Sequence, residues 1–97
     1  MFQERVWKLL RKIPRGKVTT YKIVGEKLNS KAYRAVGSAC NKNPFAPKSA
    51  CHRVVNSDGE IGGFRHGVKK KIQLLEKEGV KIKNGRVVDF KKVLYRF

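Results

Sequence analysis

The sequence predicts an α/β domain that is mostly helical: a winged-helix-like helix-turn-helix followed by short strands and a C-terminal hairpin. Two apolar segments at helical spacing, joined by a tight turn, form the helix-turn-helix pattern. Short β-branched runs bounded by turn residues predict strands. Asn84-Gly85, between two alternating runs, is the strongest hairpin pattern in the chain. Together these features predict one domain over residues 1–97.

The elements follow from apolar spacing and from the residues that break it. Residues 2–13 predict an amphipathic first helix, which the segment around Pro14 ends. Thr19 or Thr20 is expected to cap the next helix at its N-terminus. A third helix follows the "NS" turn and contains many small residues, which suit either helix packing or close approach to a DNA groove: Ala32, Ala35, Gly37, Ser38 and Ala39.

The second half of the chain predicts a short strand, a long helix and the hairpin. Val54 and Val55 are expected to form the strand, and "NSDGE" to form a turn. The apolar residues of 68–75 predict the last strong helix, with Gly79 at its C-terminal cap.

Charge is the strongest compositional feature. The chain has 24 Lys and Arg against 7 Asp and Glu, a formal net charge of +17. Such a field favours a polyanion as partner, and nucleic acid explains it better than a thermophile surface, which usually mixes lysine with glutamate. The 40% hydrophobic content argues against wholesale disorder. Since no apolar run approaches the roughly 20 residues of a membrane span, we expect a soluble, cytoplasmic protein, associated with the nucleoid in a prokaryote.

The two cysteines are expected to be free thiols, with Cys40 filling the core. Cys40, Cys51, His52 and His66 lack the paired spacing of structural zinc sites, so no metal site is predicted. Cys51 precedes His52 directly and lies in a positive field, which favours the reactive thiolate. From these residues alone, a reactive Cys51 and a buried structural Cys51 both remain open, and a small Cys-His hydrolase is a further alternative.

Five stretches resemble the C-terminal domain of the O6-alkylguanine-DNA alkyltransferases, also called methylated-DNA–protein-cysteine methyltransferases. They are "GKVTTYKIVGEKL", "AYRAVGSACNKNP", "ACHRVVNSDGEIGGF", "KKKIQLLEKEGV" and "NGRVVDFKKVL". The most specific element is Cys-His-Arg-Val with "RAVG" before it and "GGF" after it. The stretches occur in the family's order across nearly the whole chain.

The resemblance implies direct reversal of DNA damage by a protein that acts once. Cys51 would attack the alkyl carbon on O6 of guanine in double-stranded DNA, with no cofactor, in a monomeric protein. His52 would take the thiol proton through a water, with Glu78 orienting the imidazole, and the Tyr21 phenol would donate a hydrogen bond to the base.

The resemblance also implies how DNA is bound. The nucleotide would be flipped out, with Arg34 filling the gap in the stack. The second helix of the helix-turn-helix would enter the minor groove through Ala32, Gly37 and Ser38, together with Tyr21. Asn43 and Pro44 would stabilise the turn behind the site. The substrate pocket would be formed by Asn43, the backbone at Cys51, Val54 and Arg65, and a lid of Gly62, Gly63 and Phe64.

Three departures from the family's pattern are expected to matter. Ala50 replaces the usual proline before Cys51, which leaves the backbone there less restricted. Arg65 stands where the family often has a small residue. The resemblance covers the C-terminal domain alone, without the N-terminal domain common in longer members. The main rival is an alkyltransferase-like protein, which binds alkylated DNA without transfer, usually with tryptophan in place of the cysteine. A basic chromatin-type protein explains the charge but not the site.

Overall fold

The computed structural model describes residues 2–29, 31, 33–42, 51–64 and 67–97. These residues form five α-helices, one 3₁₀ turn and four two-residue strands, joined by turns and loops. They are α1 (Phe2–Leu10), β1 (Thr19–Thr20), α2 (Tyr21–Lys27), α3 (Tyr33–Asn41), the 3₁₀ turn (Cys51–Arg53), β2 (Val54–Val55), α4 (Val68–Lys77), β3 (Ile82–Lys83), β4 (Arg86–Val87) and α5 (Phe90–Val93). The predicted fold class, mostly helical with few short strands, is confirmed.

The first helix is shorter than predicted. It ends at Leu10, and turn hydrogen bonds from the amides of Lys12 and Ile13 replace its last helical ones. Ile13 precedes Pro14, whose ring disfavours helical geometry in the residue before it. Ile13 is nevertheless buried. The apolar spacing therefore predicted the burial of this side chain correctly but placed the end of the helix too far along the chain.

The helix-turn-helix consists of α2 and α3, and α3 packs against both α1 and α2. Thr20 is the N-cap of α2, because its Oγ1 accepts a hydrogen bond from the Ile23 amide at 3.0 Å. This confirms one of the two predicted caps. Thr19 lies in β1 instead and is fully buried.

Strands β1 and β2 pair in parallel, with Thr19 opposite Val54 and Thr20 opposite Val55. The pairing joins residues 35 positions apart and places Tyr21, at the start of α2, beside Asn56. The strand predicted at Val54–Val55 is therefore confirmed.

The hairpin of β3 and β4 is also confirmed. Ile82 pairs with Val87 and Lys83 with Arg86, while Asn84 and Gly85 have φ of 52° and 75°. Positive φ at both positions is the geometry that favours Asn-Gly in a two-residue turn. The C-terminal segment then returns to β1, where the Val18 amide donates to Val93 at 2.8 Å.

Two apolar clusters form the core. The first includes both cysteines and joins α1, α2 and α3 to the 3₁₀ turn. The second lies between α4, the hairpin and β2. Lys71 is fully buried, the largest side chain among the described residues to be so. Among these residues, no helix is both long and apolar enough to cross a bilayer.

Candidate active site and DNA interface

Cys51 and His52 are the first two residues of the 3₁₀ turn that leads into β2, and both are buried, at 2% and 3% exposure. On an extended backbone, the side chains of two adjacent residues would point to opposite sides. The tight turn instead keeps both inside the protein. Cys51 belongs to the first core cluster, whereas His52 reaches the end of α4.

Glu78 lies where α4 ends and contacts His52. The end of the helix is fixed by Gly79, whose φ is +92°, and by hydrogen bonds from the Gly79 and Val80 amides back to Glu76 and Leu75. The Glu78 carboxylate lies 3.0 Å from Nε2 of His52. The contact predicted between these two side chains is therefore present in the structure.

Arg53 joins His52 and Glu78 in one hydrogen-bonded network, and the sequence did not predict this contribution of Arg53. Its Nε donates to Glu78 Oε1 at 2.8 Å and its Nη2 to Oε2 at 2.5 Å, while Nη1 donates to the Ile13 carbonyl at 2.8 Å. The guanidinium thus holds the carboxylate in a two-pronged pair and ties it to the end of α1. Nothing in the sequence distinguishes Arg53 from the other 23 Lys and Arg residues except its position beside His52.

The pKa values of the network follow from burial and from these contacts. Burial lowers the pKa of His52, against the raising effect of its hydrogen bond to Glu78. Burial alone would raise the pKa of Glu78, but hydrogen bonds from Arg53 and His52 outweigh it and the net shift is downward. At neutral pH the pair is therefore a neutral imidazole beside a carboxylate.

This charge state fixes the tautomer of His52. An ionised carboxylate only accepts hydrogen bonds, so Nε2 of the neutral imidazole carries the hydrogen and donates it to Glu78. Nδ1 is left with its lone pair. It is buried and has no hydrogen-bond partner among the described residues. The geometry thus provides a proton acceptor within the protein.

Lys71 is a second residue that the sequence analysis missed. Its Nζ donates to the Val54 carbonyl at 2.7 Å and to the Gly63 carbonyl at 3.1 Å. Burial lowers its pKa to about 8, although the two thiols oppose this shift. Lys71, Leu75 and Glu78 share a helix face by their spacing, which could have indicated that this lysine points inward. The amine joins two segments that were predicted to line the substrate pocket.

The two thiols and Tyr21 lie close enough to influence one another. Burial raises the pKa of Tyr21 above its usual range, and proximity to Cys40 and Cys51 adds to this. The Tyr21 phenol is therefore a hydrogen-bond donor at every physiological pH. Cys40 is buried in the first core cluster, as predicted, and neither cysteine is in a disulfide.

An open hollow of about 600 Å³ lies on the face of α2 and α3. Its lining residues are Tyr21, Lys22, Tyr33, Arg34, Gly37, Asn56 and Ser57. Arg34 and Ser38 are exposed on α3, and Gly37 is half-buried. A Cβ at Gly37 would meet only Tyr21, at an ordinary 4.0 Å, so packing within the protein does not require glycine there. Tyr33, exposed on the same helix, was not predicted to line this face.

The remaining predicted pocket residues are only partly described. Gly62 has a φ of +69°, and a Cβ there would lie 3.0 Å from Asn56 Oδ1, so a larger residue at this position would be strained. Gly63 is exposed, and Phe64 packs half-buried against the first core cluster. Ala32, Asn43, Pro44, Ala50 and Arg65 lie outside the described residues.

Residues 1–80 match the family model of the 6-O-methylguanine DNA methyltransferase, DNA binding domain. The chain belongs to this methyltransferase family. The Ada protein of Escherichia coli, named a bifunctional transcriptional activator and DNA repair enzyme, is 46% identical over 78 residues, which are 79% of this chain and 22% of Ada. A methylated-DNA–protein-cysteine methyltransferase of Saccharolobus islandicus is 51% identical over 81 residues, 84% of this chain and 52% of that protein. The chain thus spans about half or less of the length of these relatives.

Solved structures of methyltransferase relatives have the same fold. Mycobacterium tuberculosis OGT in complex with DNA has a TM-score of 0.77 at 41% identity, over 79% of this chain and 48% of that one. S. pombe Atl1, in complex with damaged DNA that contains O6-carboxymethylguanine, has a TM-score of 0.87 at 27% identity. This second likeness covers 99% of this chain and 95% of Atl1.

Proposed function

We propose that this protein repairs alkylated DNA by direct reversal, with Cys51 as the single-use acceptor of the alkyl group from O6-alkylguanine. The observations that carry the proposal are the Cys51 thiol and, on the next residue of the same 3₁₀ turn, a buried imidazole whose tautomer Glu78 fixes. A chain that only bound DNA would need neither the thiol nor a proton acceptor on the adjacent residue.

The reaction balances without any other reagent. The thiol proton of Cys51 passes through a water to Nδ1 of His52, and Glu78 stabilises the imidazolium that forms. The thiolate forms a bond to the alkyl carbon, the bond from that carbon to O6 breaks, and its electron pair stays on the purine. The purine regains one proton, so the products are guanine and an S-alkyl cysteine. Because a thioether is stable in water, each molecule reacts once.

The pocket residues are assigned to binding the purine. The Tyr21 phenol donates to the base as negative charge develops there, and the raised pKa of Tyr21 keeps that hydrogen in place. The carbonyls of Cys51 and Val54 accept from the exocyclic amine. Although the Val54 carbonyl already accepts from Lys71, a carbonyl oxygen has two lone pairs. Asn43, Arg65 and the segment Gly62–Phe64 complete the pocket in this proposal.

The burial of Cys51 requires that the nucleotide leave the duplex. A base inside the stack cannot reach a thiol that is 2% exposed, so the lesion has to be flipped into the protein at a cost of about a few kcal/mol. Arg34, exposed at the start of α3, would fill the gap, while Ala32, Gly37 and Ser38 face the minor groove. The net charge of +17 attracts the duplex, and one copy of the chain suffices for each lesion.

Replacing Arg34 with alanine should slow the repair of O6-methylguanine in duplex DNA by about tenfold or more. The reason is that no side chain then fills the gap that the flipped-out nucleotide leaves in the base stack. The reaction with free O6-benzylguanine should stay within about twofold of wild type, since no flipping is needed. Single-turnover rates on both substrates provide the measurement. Arg5→Ala, an exposed arginine on α1, removes the same charge and is the matched control. Equal losses on both substrates would remove Arg34 from the flipping role.

Binding without transfer is the second candidate, and the full-length likeness to Atl1 favours it. The two candidates differ in the fate of the lesion. Transfer converts one O6-methylguanine to guanine for each protein molecule and then stops. Under binding alone, the lesion persists at any protein excess while the complex forms. Digesting the DNA and quantifying the lesion against the protein added separates them.

A further inference from the structure

Cys40 carries the second thiol of the protein, which the proposed reaction does not use. Cys40 lies in the last turn of α3, is 7% exposed and belongs to the same core cluster as Cys51. The two thiol side chains lie within hydrogen-bonding reach of each other, and neither cysteine is in a disulfide. A residue that only fills space needs no such contact.

The chemistry of the thiols determines the direction of this hydrogen bond during the reaction. A thiolate carries no hydrogen, so once Cys51 ionises, only Cys40 can be the donor. Hydrogen bonds to a charged acceptor are stronger than those between neutral groups, and they favour the charged form. A donor on the sulfur therefore lowers the cost of ionising a thiol that is buried away from water.

Other titratable groups also face the two sulfurs from the packed elements. Tyr21 approaches from α2 and Lys71 from α4, while His52 is the next residue of the 3₁₀ turn, backed by Glu78 and Arg53. Lys71 already donates to two carbonyls, and Tyr21 is assigned to the purine. Among these described groups, Cys40 is the one within hydrogen-bonding reach of the Cys51 sulfur that has neither of these other roles.

We propose that Cys40 is a positioning residue for the alkyl transfer: its S–H group holds the Cys51 sulfur in place and stabilises the thiolate. The assignment rests on the proposed function, since it concerns the same nucleophile. It revises the sequence interpretation of Cys40 as a core filler. The hydrogen bond and burial also raise the pKa of Cys40, so it stays protonated and does not compete as a nucleophile.

The test measures how Cys51 titrates, without DNA. Iodoacetamide alkylates thiolates, and peptide mapping reports the rate at Cys51 separately from that at Cys40. Cys40→Val keeps an apolar side chain of similar size but no donor. It should move the pH profile of Cys51 alkylation upward, so that the rate on the acidic side falls about tenfold. Cys40→Ser restores a donor and should keep the wild-type profile. If Cys40→Val does not fold, Cys40→Ala takes its place.

Two outcomes would overturn the proposal. One is an unchanged pH profile in the valine variant. The other is an equal shift in the valine and serine variants, which would mean that Cys40 acts through packing alone. Failure of the proposed function is a separate result: wild type would then leave O6-methylguanine DNA unrepaired, while the iodoacetamide profile could still shift as expected.

Discussion

Replacing Glu78 with glutamine should slow alkyl transfer to Cys51 by about 100-fold or more, the scale of a lost general base. Glutamine has nearly the same shape, but it carries no charge to stabilise the imidazolium of His52. Its amide NH₂ group would also face Nε2 of His52 or the guanidinium of Arg53, both of which donate to the carboxylate now. If the NH₂ group faces Nε2, the imidazole adopts the other tautomer and Nδ1 no longer accepts a proton.

Single-turnover kinetics with duplex DNA containing O6-methylguanine provide the measurement. Glu60→Gln is the matched control, because Glu60 is half exposed and pairs only at the surface with Arg86. That exposed pair contributes little, so the control should react at nearly the wild-type rate. A Glu78→Gln rate within about threefold of the control would show that His52 does not need its carboxylate.

The same substitution should change the acid limb of the stability curve. The pKa of Glu78 is lowered in the folded protein, so the carboxylate stabilises the fold above the pKa of the unfolded chain, and this contribution is lost as the pH falls through the folded pKa. Glu78→Gln should therefore lose less stability on acidification than wild type. Urea unfolding between neutral pH and the acid range measures the difference.

Replacing Lys71 with methionine should destabilise the fold, and more strongly at high pH. Methionine leaves the carbonyls of Val54 and Gly63 without the amine, and each unsatisfied buried group costs about 1–3 kcal/mol. Near pH 7 the buried charge of Lys71 also costs wild type some stability, so wild type and Lys71→Met differ less in stability there. The pKa of Lys71 is about 8 in the folded protein and 10.5 in the reference state. Between these values the unfolded chain binds more protons, so wild type gains stability as the pH rises.

Urea unfolding of wild type and Lys71→Met at neutral pH and near the upper end of that interval measures this effect. The difference in unfolding free energy between wild type and Lys71→Met should widen with pH by up to about 3 kcal/mol. Lys70→Met is the matched control, since Lys70 is exposed on the same helix and should show no such widening. A gap that is constant or narrows with pH would contradict a buried, charged Lys71.

Local patterns in the sequence predicted most of the fold. The Asn84-Gly85 hairpin and the Thr20 cap each depend on residues within a few positions of one another. The parallel pairing of β1 with β2 depends on contacts across 35 residues and was not predicted. Helix α5 was not predicted either. Its Phe90 ring lies 3.3 Å from where a Cβ of Gly59 would be, a contact that only the folded chain creates.

The candidate site was predicted where a motif marked it and missed where burial determined it. The resemblance to the alkyltransferases implied a contact between His52 and Glu78, and the structure brings their side chains to 3.0 Å. Arg53 and Lys71 could not be separated from the many other cations, because what distinguishes them is tertiary contact. Lys71 stands in a run of three lysines and is the one that the register of α4 turns inward.

The identity of the atom that receives the alkyl group tests the central claim most directly. Wild-type protein and Cys51→Ser are each incubated with duplex DNA containing O6-methylguanine, digested and mapped by mass spectrometry. We expect the wild-type peptide with Cys51 to gain the mass of one methylene unit, once per restored guanine, and the peptide with Cys40 to stay unmodified. The serine variant should gain nothing. An unmodified Cys51 peptide beside DNA that is bound but still alkylated would contradict it.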